Sequence, residues 1–195
     1  MKNLGYMRED MIKSLISSML FARYNEIVQK PNPPFIYAGG FIGSFTRTKD
    51  AFMLYSIAKN DNIINGFKSV IREGERVKNY GFTATELERA KADYLRSLEN
   101  KLKEKDKEKN ESYVNQYVNN FLEGEPVPGI EFEYMFATGV LPSISIDELN
   151  SYSKGLITDQ NIVISITGPR KEGIQMPGVD EVNKALSEVK SEKLE

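Results

Sequence analysis

Cysteine and histidine are both missing from this 195-residue sequence. Their absence excludes a thiolate or imidazole nucleophile, a Ser-His-Asp triad and an ordinary zinc site. Self-contained hydrolytic chemistry is therefore not expected, and no residue is nominated as catalytic or as a metal ligand. An excess of one charge is missing as well. Lys and Arg number 26 against 28 Asp and Glu, a net charge of -2, so no field steers nucleic acid or an anionic membrane towards the chain. No stretch approaches the roughly 18 apolar residues of a membrane span, and the sequence reads as a soluble piece without membrane insertion. The opening MKNLGYMRED lacks the apolar core of roughly seven to fifteen residues that marks an export signal. Because absent cysteines do not fix the compartment, a cytosolic protein and an excised segment of a longer chain both stay open.

What is present is an ordinary globular composition, 40% hydrophobic and 28% charged, in a length ample for a core. Residues 8–30 place Met11, Ile12, Leu15, Ile16, Met19, Leu20, Tyr24, Ile27 and Val28 on one stripe, which predicts a helix. Pro31, Pro33 and Pro34 end it, since proline lacks the amide donor and restricts its predecessor. From Phe35 to Phe45 the residues alternate. Phe35, Tyr37, Gly39, Phe41, Gly43 and Phe45 are expected on one face of a strand. Gly39, Gly40 and Gly43 lie inside that strand rather than after it, so close backbone approach or a bulge is preferred to a phosphate cradle. The apolar run Ala51–Ala58 predicts a covered strand, central in a sheet or beside a helix layer, that pairs with the first as an antiparallel hairpin.

Ile63, Ile64, Phe67, Val70, Ile71 and Val77 recur at helical spacing, with Gly81 as the stop. Thr83 followed by Glu86 is a capping box, with Phe82 and Leu87 placed to staple it; Ala90, Tyr94, Leu95, Leu98 and Leu102 continue the buried stripe. Residues 99–111 carry five lysines against five acids and read as a solvated face or hinge rather than a nucleic-acid site. Tyr113, Val114, Tyr117, Val118, Phe121 and Leu122 are expected as the core face of the next helix, ending at Gly124 and Pro126. A short helix over 130–140, a second capping box at Ser145 and Glu148, a strand over Asn161–Thr167 and a last helix over 179–189 complete the pattern. Residues 1–170 are read as one domain, and 171–195 as a loop and terminal helix leading towards the next.

Four segments carry a resemblance. Leu15–Ile27, LISSMLFARYNEI, resembles the pitrilysin/insulinase helix that ends in an Arg-Leu-x-x-Glu element, here Arg23, Tyr24, Asn25 and Glu26. Gly81 to Lys91, GFTATELERAK, is similar to the G-[FY]-T-x-x-E-L-x-x-A-K segment of the same zinc metallopeptidases. FLEGEPVPGI and LPSIS, beginning at Phe121 and Leu141, are similar to a stretch in the second domain of the large bacterial members. The resemblance implies an α+β fold: a two-layer sandwich, mainly antiparallel sheet with helices on one face, as in mitochondrial processing peptidase. It also implies a non-catalytic domain of a zinc endopeptidase, walling a peptide chamber beside a catalytic domain of the same parent chain. There, an H-x-x-E-H motif and a distal Glu bind zinc and activate water. Nothing here can take that role, so zinc belongs to the parent and no cofactor to this piece.

At positions where a substrate-gripping domain carries Arg and Tyr, this chain has Val28 and Phe35, which favours the second domain. Arg23 and Glu26 are the only residues singled out for the chamber; at i and i+3 they otherwise read as a surface or structural ion pair. The family's first strand precedes its first helix and is expected to lie outside this sequence, leaving a sheet edge that a second copy can pair with. The large bacterial relatives point to the periplasm or envelope for the parent, while the compartment of this chain stays unknown. Two other readings remain open: a non-enzymatic scaffold or assembly subunit of the family that has lost the metal motif, and an unrelated helix-rich adaptor.

Overall fold

A computed structural model describes residues 2–46, 48–59, 62–169 and 172–194. In chain order the elements are α1 Leu4–Val28, β1 Phe35–Thr46, β2 Lys49–Ala58, α2 Ile63–Tyr80, α3 Ala84–Lys103, α4 Asn110–Glu123, α5 Ile130–Val140, α6 Ile146–Leu156 and α7 Val179–Ser191, with 3-10 turns at Lys105–Lys107 and Leu141–Ser143. The class is α+β, an antiparallel β1–β2 sheet with helices against it. The helical stripes, the hairpin and its proline-bounded start follow the sequence patterning. The 170/171 boundary lies outside the described residues. The chain divides into two compact units, one of residues 1–15 and 83–149, the other of 16–82 and 150–195.

In the first unit α3 packs on α5, and Met11, Ile12, Leu87, Ala90, Leu98, Ala137, Leu141, Ile144 and Leu149 are buried. Thr83 opens α3 with both halves of the capping box: Glu86 N–H donates to Thr83 Oγ1 at 3.2 Å, and Thr83 N–H to Glu86 Oε2 at 2.7 Å. Two otherwise orphaned amides are thereby satisfied. The second box caps α6, where Glu148 N–H donates to Ser145 Oγ at 3.2 Å. The Glu148 carboxylate is held below the usual range, first by the hydrogen bonds from Arg8, then by Arg8's charge and the Ser145 amide. The Arg8 pair is two-pronged, with Nη2 to Oε2 at 2.7 Å, the fork geometry that suits a guanidinium to a carboxylate.

The second unit centres on Ile16, Met19, Leu20 and Tyr24 of α1, Phe35 and Ala38 of β1, Val70 and Val77 of α2, and Val182, Ala185 and Val189 of α7, all buried. The hairpin departs from simple alternation at its first residues. Its register slips between Phe35 and Tyr37, so Phe35 is buried while Tyr37 turns outward with Phe41. A bulge shifts every later side chain to the opposite face. Gly39 and Gly40 fill the role expected of them, while a Cβ on Gly43 would meet Phe41 only at an ordinary 3.6 Å. A Cβ on Gly39 would come within 2.6 Å of Tyr55 Oη, and one on Gly40 within 3.0 Å of Leu20 Cδ1, so these positions exist for close approach and not for phosphate.

Of the two places expected for Ala51–Ala58, the one beside a helix layer is found: among the described residues β2 pairs only with β1 and packs on α2, its apolar run divided between the helix-facing side and an aromatic cluster of Tyr37, Phe41 and Tyr55. Two other expectations fail. Asn161–Thr167 takes no place in a sheet among those residues. The segment keeps strand-like alternation, with Ile164 and Ile166 half-buried between exposed neighbours, but a ladder needs a hydrogen-bonding partner. The apolar stripe of α4 is likewise not core: none of its 14 residues is buried.

Terminal helix α7 packs on α2 and is fastened there by polar clasps. Lys68 pairs with Glu188, and Arg72 Nε and Nη2 grip Glu192 at 2.5 and 2.7 Å. Asp159 receives both Lys78 and Lys190 at 2.9 and 2.8 Å, and Tyr80 Oη donates to the Leu194 carbonyl at 2.5 Å. Hydrogen bonds from their cationic partners lower the Glu188 and Glu192 carboxyls and bring Asp159 down to about 2. A depressed folded-state value favours folding fully above the ordinary carboxylate range near pH 4 and ceases to do so as pH falls through the folded value. Hydrogen exchange over 179–191 should therefore accelerate relative to α3 as pH drops from about 5 to about 2, and Asp159→Asn should blunt that change. Exchange in α7 that tracks α3 throughout would refute the clasp.

Candidate functional site

Arg23 and the Gly81-Phe82 pair, from two of the segments that carried the resemblance, meet at one node in the second unit. α2 ends at Gly81, whose φ of 72° and ψ of -159° lie in a region open essentially to glycine. The sequence supplies glycine where the chain must turn sharply before α3. Arg23, one turn before the end of α1, directs Nη2 to the Gly81 carbonyl at 3.0 Å, and its guanidinium sits 4.7 Å from the centroid of the Phe82 ring. From α6, Asn150 closes the other side: Phe82 N–H donates to its Oδ1 at 2.7 Å, and its Nδ2 donates to the Phe82 carbonyl at 3.0 Å. The Gly81-Phe82 backbone is thus held by a cation and a side-chain amide.

The node fixes the Gly81-Phe82 backbone in place. Arg23 is half-buried and engaged with Gly81 and Phe82, while Glu26 is exposed. Phe35 is fully buried edge-on against Tyr24, ring centroids 6.0 Å apart at 82°. Sequence reasoning missed Asn150. Its one signal was an amide inside a helical pattern, where asparagine is unfavourable unless its side chain has a specific partner.

No cluster of three or more His, Cys, Asp or Glu side chains able to hold a metal ion occurs among the described residues. With no His or Cys anywhere in the sequence, the donors present do not fit the zinc ion that the resemblance implies for the parent. No helix among the described residues is long and apolar enough to cross a membrane.

No family model matches the chain. A zinc protease PQQL-like protein of Arabidopsis thaliana is 30% identical over 116 residues, which is 60% of this chain and 12% of that protein. The crystal structure of the periplasmic protease PqqL from Escherichia coli matches with a TM-score of 0.83 at 15% identity, over 99% of this chain and 22% of its own. The first half of that protease matches with a TM-score of 0.72 at 16% identity, over 80% of this chain and 33% of its own. A predicted insulinase family protease from Yersinia pestis gives 0.73 at 15% identity, over 95% and 39%. The chain therefore spans only a small part of each protein it matches. Its fold is that seen in these insulinase-type protease structures, and part of its sequence is similar to a small part of a PQQL-like zinc protease.

Proposed function

We propose that this chain is a non-catalytic domain, the second, of a larger zinc-dependent endopeptidase, where it walls the peptide chamber and packs against a catalytic domain that supplies the metal. One observation carries this reading: nearly the whole chain shares the fold of about a fifth of a protease, while its sequence contains no histidine or cysteine to hold zinc. In this reading residues 1–170 are the domain and 171–195 lead towards the next. Arg23 and Glu26 belong to the chamber side, Arg23 acting through the Gly81-Phe82 turn that it braces. The hairpin's free edge is where a strand of a second copy would add, and the periplasmic location of the E. coli neighbour is the location proposed for the parent.

The purified chain should cleave no peptide with zinc supplied and should retain no zinc after gel filtration. Turnover that a chelator abolishes would overturn the proposal. In the parent gene, an H-x-x-E-H motif with a distal Glu outside these residues is expected; its absence would favour the scaffold reading.

A further inference from the structure

α4 presents Tyr113, Val114, Tyr117, Val118, Phe121 and Leu122 in two adjacent i, i+4 rows, all exposed, with Phe121 at 87% and Tyr117 at 62%. With side-chain areas of about 150–250 Å² for the aromatics, these fractions leave roughly 600 Å² of apolar surface on one helix face. That reaches the top of the range, about 300–600 Å², for the largest patch on an ordinary monomer, and such patches mark interaction sites. It also reaches the lower end of interfaces between domains of one polypeptide, about 600–1,500 Å². The six side chains include no charge, and the rest of the helix is mostly Asn, Gln and Ser, with Glu111 and Glu123 near its two ends. A charge-free stripe suits permanent burial against another apolar face, because transient surfaces carry more polar groups.

We infer that this face of α4 is the surface through which the chain docks onto another domain of its own parent polypeptide, the occupant being an uncharged apolar face. The inference rests on the reading that the chain is one domain of a longer protease. This chain covers 22% of the PqqL structure it matches, so a protein of that kind has further chain of the same molecule to provide such an occupant.

Covalent footprinting of Tyr113, Tyr117 and Phe121 in the 195-residue chain and in the full-length parent product tests it. Labelling should be strong in the isolated chain and at least fivefold weaker in the parent. Phe121→Asp, at an exposed position, should leave the melting temperature of the isolated chain unchanged, restore labelling at Tyr117 in the parent and make the parent more sensitive to protease. Equal labelling in both forms would overturn the inference while leaving the zinc-protease reading intact. Protection in the isolated chain that vanishes on dilution would also overturn it, showing that a second copy covers α4. A parent gene without further domains would end both.

Discussion

Replacing Tyr24 with alanine should destabilise the second unit by about 3–5 kcal/mol, the range for emptying a buried aromatic site. Its ring is fully buried and meets Phe35 edge-on. Its hydroxyl donates to the Val70 carbonyl of α2 at 3.0 Å, joining α1 to α2. Burial, with Glu73 nearby, pushes the phenol well above its ordinary value, so it remains a donor at every working pH. Tyr24→Phe keeps the packing and loses one hydrogen bond, which should cost about 1 kcal/mol. Because a domain's net stability is about 5–15 kcal/mol, the alanine variant should melt far earlier in urea and the phenylalanine variant only slightly. Two variants of equal stability would show that packing at this position is not what joins α1, β1 and α2.

Gly81→Ala should be the second severe substitution. The backbone there costs a non-glycine residue about 1–3 kcal/mol, and an added Cβ would lie 2.5 Å from Asn150 Cγ. Asn150 must then move, releasing its two hydrogen bonds to Phe82, each worth about 1 kcal/mol. The expected loss is roughly 3 kcal/mol or more, from strain and lost pairing together. Asn150→Ala alone should cost about 2 kcal/mol, since it leaves the Phe82 amide and carbonyl without those partners. The double variant should be less harmful than the sum of the two, because removing the asparagine side chain also removes the clash. Strict additivity in urea denaturation would show that Gly81 and Asn150 do not share this node.

The sequence made most of the helices legible because their signals are local. Thr83 with Glu86 and Ser145 with Glu148 cap as their spacing predicts, since each needs only residues three apart. The α1 stripe is buried from Met11 to Tyr24 because period-3.6 patterning reports a core face wherever the core exists. The hairpin pairing was legible too, but not its facing, since the slip between Phe35 and Tyr37 depends on the contact with Tyr24. The α4 stripe obeyed the same periodicity as α1 yet is exposed; patterning records that a face is to be covered and is silent about what covers it.

Arg23 shows the same division at the node. Its place before the end of α1 was readable, but its engagement with Gly81 and Phe82 joins residues 58 positions apart, and Asn150 reaches Phe82 across 68. The chemical exclusion, in contrast, came from composition alone: with no histidine or cysteine, the chain offers neither imidazole nor thiolate to a metal, whatever its fold. Sequence by itself therefore determined most of the helices, the caps, the hairpin and the absence of histidine and cysteine, because each depends on residue type or on near neighbours. Only tertiary structure decided which side of β1 faces the core, that residues 161–167 make no ladder among the described residues, that Asn150 holds the Gly81 turn and that the α4 stripe is exposed among them, because each depends on groups distant along the chain.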